Sequence, residues 1–386
     1  MENTTRVGER VAALRKLRGL TQHQLATAAS FSTSMVKQVE QGTTPPSAAF
    51  VASAARALKV SRDYLYGVED RPMAEESTAV LLAELRAAVD AWDDPRPDGD
   101  PLTLDAINRR LDVAARQVAG TKYADAAADL AVMLHHLYPL ADQPGTDGEP
   151  ARAALHDAYR LSATVAGRFR QGDLAAVASE RHIQLAPETG DPLRVAISAF
   201  HRSSRYLALG DYAGGLRVLQ RAEGHLAGPS SVATQVHLRS AVLQARAGAL
   251  DRADEHITEA RRTEDNDQPA YRGIDASELN IDVHWCALPV EAMDGTEAVR
   301  RGGEVQLTDT SRPERLGHHH IDQARAWFLH GDRDRCLDEL NHARKAAPFN
   351  TRHHPAVRET VLALAAADRR ATDSLAGFAK WAGVAV

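Results

Sequence analysis

The sequence predicts an all-α protein: a head of five short helices followed by a long series of helix pairs. Three observations predict it. Apolar residues recur at helical spacing along most of the chain. Pro-, Gly- and Asp-rich breaks separate those stretches at 93–101 and 141–150, and strand character is confined to a short run around 303–308. A glycine-centred pattern returns through the C-terminal part, which predicts an α-solenoid.

With 386 residues the chain has room for two or three domains. Its 44% hydrophobic and 25% charged residues are those of an ordinary folded chain, not of a disordered one. Forty of the 46 basic residues are arginine, and alanine is abundant, which points to a GC-rich bacterial genome as the source. No apolar run reaches the ~18 residues that a bilayer crossing needs. The N-terminal stretch lacks the apolar centre of a secretory signal. Cys286 and Cys336 form no disulfide framework and no metal-type spacing, so a cytoplasmic location is expected. The net charge of −6 argues against non-specific nucleic-acid binding by the whole chain. It hides an asymmetry: residues 1–70 carry nine Lys/Arg and six Asp/Glu, giving +3 and leaving −9 for the rest. A basic head on an acidic body implies two tasks.

In the head, Val7, Val11, Leu14 and Leu17 mark one face of a first helix, which Gly19 ends. Thr21 and Gln24 have the spacing of a capping box and open a second helix over 21–28. A turn at Ala29–Phe31 follows, and Ser32 caps a third helix running to about Gln41, with Gly42 as its stop. Pro45–Pro46 forces a loop. Ser47 caps a fourth helix over about 47–58, and Ser61 a fifth that ends at Gly67.

Two helices joined by a tight turn within such a bundle form a helix-turn-helix. The stretch "GLTQHQLATAASFSTSMVKQVEQGTTPPS" resembles the phage-repressor type (Xre/Cro) family at Gly19, Leu20, Thr21, Gln22, Leu25, Ala26, Ser32, Val36, Val39, Glu40, Gly42, Pro46 and Ser47. It departs at Ser30, where the family has glycine in the turn. The resemblance covers about the first 65 residues. It implies that the third helix lies in the major groove of double-stranded DNA, with its N-terminal residues at the base edges.

Base readout needs hydrogen-bonding side chains, not only charge. Ser32, Thr33, Ser34, Lys37 and Gln38 are the candidate contacts of the third helix. Gln38 can bond adenine through two hydrogen bonds, and Lys37 can reach guanine or phosphate. Gln22, at the start of helix two, and Thr43 and Thr44, after Gly42, are candidate phosphate contacts. By the resemblance, Glu40 pairs with Arg15 and fastens the recognition helix; both are structural rather than base-reading. Val11, Leu25, Val36 and Val39 are core.

These features divide the chain into a head at 1–68, a linker at 69–77 and a helical body at 78–386. In the body, "RFRQGDLAAV", "YLALGDYAGG", "LQARAGALDRA" and "AWFLHGDRDRC" align on Gly172, Gly210, Gly248 and Gly331. The first three glycines are 38 residues apart and the last follows after 83, which leaves room for a degenerate unit at 265–305. Leu174, Tyr212 and Leu250 recur two places after the glycine. Leu219, Ile257 and Leu340 recur nine places on, and Ala222, Ala260 and Ala343 twelve. Val177, Gly215, Ala253 and Cys336 supply the small positions where paired helices cross, while Arg181 and Arg333 break the pattern. The units resemble divergent tetratricopeptide (TPR) repeats, whose usual period is about 34 residues. Stacked pairs make a superhelix with a concave inner surface. Ile321, Arg325 and Phe328 in one unit, and Phe200, Ser204 and Leu207 in another, fall on the inward face. An arginine among apolar neighbours there either meets a ligand carboxylate or pairs with an acid of the next helix.

His318–His320, His135–His136 and His353–His354 are adjacent in sequence. Consecutive helical residues face different directions, so no metal site is expected from them. The sequence has no metalloprotease, Walker, dinucleotide or nucleophile-elbow motif, so neither catalysis nor a cofactor is expected. Head plus TPR-like body is the layout of the peptide-sensing regulators of Gram-positive bacteria. That resemblance implies a cytoplasmic, nucleoid-associated homodimer that binds an inverted repeat without contacting a membrane. A peptide or small-molecule effector would act only by preferring one spacing of the heads. The alternative is a scaffold whose body binds a protein partner, such as a sigma factor or toxin, and whose head tethers it to DNA.

Overall fold

The computed structural model describes residues 7–386, apart from 45, 59, 61, 67–75, 264–270, 308–311, 368–372 and 385–386. Among the described residues there are α-helices, two short 3-10 turns and no strand. Residues 303–307, part of the run with strand character, form a turn and an irregular segment after a helix end. Most of the expected linker, 69–75, lies outside the described residues, as do Pro45, Ser61 and Gly67; 76 and 77 already belong to the first body helix.

The head contains α1 (Val7–Leu17), α2 (Gln22–Ala29), α3 (Thr33–Glu40), α4 (Ala48–Ala57) and α5 (Arg62–Tyr66). Local chemistry sets their starts. Thr21 Oγ1 accepts from the Gln24 amide while the Gln24 side chain accepts from the Thr21 amide, a complete capping box. Ser32 and Ser47 cap α3 and α4 in the simpler way, accepting from the amides of Met35 and Phe50. Val7, Val11, Leu25, Val36, Val39, Phe50, Val51, Leu58 and Leu65 are fully buried together. Each such side chain contributes about 1.5–3 kcal/mol through its removal from water. Leu17 does not join them: it is the last residue of α1 and is 82% exposed. Leu20, past the turn at Gly19, packs against that core in its place.

Ser30 takes the left-handed conformation, φ 60°, at the end of α2. A side chain there costs roughly 1–2 kcal/mol. Ser30→Gly is expected to raise head stability by about 1 kcal/mol, read as slower amide exchange in α2 and α3. Unchanged exchange would mean that the turn is unstrained.

The body begins with α6 (Glu76–Asp90), then pairs α7 (Leu104–Ala119) with α8 (Tyr123–Ala141), α9 (Glu149–Arg168) with α10 (Gly172–Leu185), and α11 (Pro192–Leu209) with α12 (Tyr212–Glu223). Three further pairs follow: α13 (Ser231–Arg246) with α14 (Leu250–Thr263), α15 (Glu278–Glu291) with α16 (Gly295–Gly302), and α17 (Pro313–His330) with α18 (Arg333–Ala346). The pair α15–α16 is the degenerate unit expected at 265–305. Helices α19 (Pro348–His353), α20 (Pro355–Ala367) and α21 (Asp373–Ala382) close the end.

One backbone device joins the two helices of every pair. The residue two places before the second helix is left-handed: Thr121, Arg170, Gly210, Gly248, Met293 and Gly331. The sequence alignment on Gly172 is therefore two residues out of register. Arg170 (φ 57°) makes that turn, and Gly172 is the first residue of α10. Conformation, not glycine, is the repeated feature.

The pairs curl until the last elements meet the first. Tyr123 Oη donates to Asn350 Oδ1 at 3.0 Å, Arg170 donates to the His353 carbonyl, and Arg168 pairs with Glu314. The ring of Phe349 packs against Tyr123 and Phe169. The head rests on this body on more than one side. The Tyr212 hydroxyl donates to the Ala49 carbonyl at 3.2 Å, and Gly210 lies so near Ala52 that a Cβ there would be 3.2 Å from its carbonyl carbon. On the other side Glu359, Leu362 and Ala363 of α20 face Gly8, Val39 and Thr44 across a small cleft.

Candidate nucleic-acid interface

A period of 3.6 residues sorts α3 into two faces. Val36 and Val39 are buried against α1 and α2, whereas Ser32, Thr33, Ser34, Lys37 and Gln38 are exposed. The helix thus presents two hydroxyls, a carboxamide and an ammonium in one outward patch, which is the donor and acceptor set that base edges require. Thr33 Oγ1 lies 3.3 Å from the His23 ring of α2. His23 is exposed and flanks the patch, a neighbour that sequence reasoning passed over; its place directly after Gln22 at the start of helix two was the available signal. Ser32 Oγ is engaged as the α3 cap. Thr43 Oγ1 donates to the Gln38 carbonyl and closes the other end of α3. Thr43 is exposed, while Thr44 is half-buried in the cleft beside α20.

What holds α3 is a buried ionic clamp. Arg15 Nε and Nη2 donate to the two Glu40 oxygens at 2.6 and 2.9 Å. Arg15 Nη1 donates to the Leu20 carbonyl at 2.8 Å. The hydrogen bond to Glu40 raises the Arg15 pKa against the opposing effect of burial. Gln22, read from the sequence as a phosphate contact, donates its side-chain amide to Glu40 Oε2 at 2.8 Å. The reason is geometric: at the first position of α2, its side chain reaches the carboxylate at the C-terminal end of α3. Gly8 allows the approach of α1, since a Cβ there would lie 1.9 Å from the Val39 carbonyl oxygen.

A second feature lies inside the superhelix. A cavity of about 370 Å³ is lined by Arg246, His284, Glu291, His318, Asp322, Arg325 and His354 of the body and by Arg62 and Tyr66 of the head. A neighbouring one of about 420 Å³ also includes Arg62, with Arg160, His182 and His201. Arg325, one of the inward residues of the repeat pattern, meets both Glu291 and Asp322 at 3.0 Å, and Arg246 meets Glu291 at 3.0 Å. Burial alone would raise the Glu291 carboxyl; Arg246 and Arg325 override it and hold it at about 2. Asp322, more loosely served, is pushed up to about 6 by burial. His284 and His354 are lowered to about 4 and about 3, again chiefly by burial, so these rings are neutral at physiological pH. Of the other inward residues, Ile321 and Phe200 are buried and Phe328 and Leu207 pack at the margins of the core, while Ser204 lines the second cavity.

Comparison with known proteins agrees with the head. The profile of a helix-turn-helix domain matches residues 6–65. An uncharacterized HTH-type transcriptional regulator of Bacillus subtilis (strain 168), YazB, is 43% identical over 58 residues, which are 15% of this chain and 84% of that protein. Among solved structures, Bacillus thuringiensis PlcR in complex with the peptide PapR7 and DNA aligns over 93% of this chain and 99% of its own. That alignment has 12% identity and a TM-score of 0.33, too distant to bear on function. No helix among the described residues is long and apolar enough to cross a membrane.

Proposed function

Because the chain belongs to the helix-turn-helix transcriptional regulators, we propose that it binds a specific inverted repeat in double-stranded DNA as a homodimer and regulates transcription without catalysis of its own. The observation that carries this reading is the outward patch of α3 on a helix clamped from behind by Arg15 and Glu40. In this reading Thr33, Ser34 and Gln38 meet base edges, Lys37 reaches a guanine edge and the adjoining phosphate, and Ser32, Thr43 and Thr44 meet the phosphate backbone. One lysine suffices because helix N-termini and the second subunit share the phosphate anchoring. Half-sites then lie about 34 Å apart, or a multiple of that. The body supplies dimerisation and, through its cavities, a place for a small effector. Because Arg62 and Tyr66 line a cavity, an occupant there touches the head directly and can favour one head position over another. Such a protein acts in the cytoplasm, at the nucleoid.

Selection of bound sequences from a random DNA pool, at stated salt, tests the reading. A palindromic site is expected. Gln38→Ala is expected to cost about 1–3 kcal/mol and to relax preference at one base position, and Lys37→Ala to lower the salt slope by about one. Equal binding of all sequences by the wild type would reject direct readout. A monomer on a single half-site would reject the dimer. Stable capture of a protein partner, with DNA binding indifferent to every operator change, would favour the scaffold instead.

A further inference from the structure

The three consecutive histidines diverge, as their helical spacing requires. His318 faces the cavity and packs against His354 with ring centres 5.4 Å apart. His319 Nδ1 approaches Cys286 Sγ of α15 at 3.4 Å. His320 points to α18, where its Nδ1 lies 2.7 Å from Glu339 Oε2. One turn further along α18, His342 Nδ1 stands 4.0 Å from the same oxygen, and the His320 and His342 rings are 5.2 Å apart. One donor atom from each of the three residues falls within 4.8 Å of the others.

From this we propose that His320, Glu339 and His342 bind one zinc ion that clips α17 to α18. Two imidazoles and one carboxylate are a donor set that zinc accepts, with a fourth position left for water. Zinc bonds of about 2.0–2.2 Å place tetrahedral donors roughly 3.3–3.6 Å apart. The His320–Glu339 contact therefore lengthens slightly and His342 swings inward, movements that side-chain rotation supplies. The ligands come from both helices of one pair, with Glu339 and His342 spaced i, i+3 on a single face. His342 is about half exposed, which provides the entry path, while His320 and Glu339 are mostly covered and so already placed. Hard cations prefer all-oxygen shells, so calcium and magnesium are excluded by the donor set.

Calorimetric titration of the full chain with zinc tests the site, with melting temperature as a second readout. The wild type is expected to show one tight equivalent that magnesium and calcium do not displace, and zinc raises its melting temperature. His342→Ala, at an exposed position that leaves the fold intact, is expected to weaken that equivalent by at least the ~10–100-fold that loss of an outer-shell partner costs. Glu339→Gln should weaken it similarly. His225→Ala, an exposed histidine elsewhere, should not. The proposal is overturned if the wild type binds no more tightly than His342→Ala, if His225→Ala loses as much, or if Glu339→Gln retains full affinity.

Discussion

Replacing Glu40 by alanine is expected to cost the head about 3–5 kcal/mol, the scale for removing one partner of a buried ion pair. Exposed pairs of the same chemistry contribute about 0–1 kcal/mol. Burial sets the difference here: the Arg15 and Glu40 side chains are only 11% and 5% exposed. The Glu40 carboxylate accepts from Arg15 twice and from Gln22 once. Alanine leaves the Arg15 guanidinium with the Leu20 carbonyl alone, and water does not easily reach a group so covered. The substituted residue lies on the side of α3 away from the outward patch, yet DNA affinity should fall with stability, because base readout depends on a fixed helix. Amide exchange at Val36 and Val39 measures the effect locally, which suits a chain of many units better than one global transition. Unchanged protection there would refute the clamp. Glu40→Gln, which keeps one acceptor, should fall between the two.

Asp157→Ala should produce a loss of similar size in the body. Asp157 is buried on α9 and accepts from the Tyr271 hydroxyl at 2.7 Å and from Arg272 at 3.3 Å, with Arg194 of α11 at 3.6 Å and Arg160 at 3.7 Å. Arg272 also reaches Asp112 and Asn108 of α7. A single carboxylate thus gathers arginines from α9, α11 and the segment ahead of α15, and through Arg272 connects to α7. Without it the buried Arg160 faces the partly covered Arg194 and Arg272 with no carboxylate between them. Burial would raise the Asp157 pKa, but His156 at 3.7 Å together with Arg160 and Arg194 holds it well below the usual carboxylate range. Because the folded pKa is depressed, its stabilisation is fully present above the ordinary aspartate value of about 4 and is lost as pH falls below that. Thermal melts from pH 6 down to pH 2 should show an acid loss in the wild type that steepens below pH 4 and a shallower one in Asp157→Asn. Parallel curves would remove this carboxylate from the account.

Much of the head was legible because its determinants are local. Thr21 with Gln24, Ser32 and Ser47 each act within one turn, and Val36 and Val39 follow from the helical period. Leu17 was misread, and the bond from Gln22 to Glu40 was not foreseen, for a shared reason. Their surroundings depend on residues far along the chain or on where an element ends, which periodicity does not encode. The same holds for the body. Helix pairs could be found from recurring small and large residues, but the glycine register slipped at Arg170, since a left-handed turn can be made by a residue that carries no signature of it. Asp157 with Arg272, and Arg62 with Arg325, lie far apart in sequence, and only the closed superhelix brings them together. Nothing in the spacing of His320, Glu339 and His342 marks them as neighbours until α17 and α18 are placed side by side.

Tyr66 and Arg62 form part of the wall around the inner chamber. A fragment trimmed to the helical repeats would therefore offer candidate compounds a breached pocket, short of one guanidinium and one phenol. Screens for small molecules that tune this regulator belong on the intact polypeptide, and hits found on the trimmed version should lose potency when the missing portion is restored.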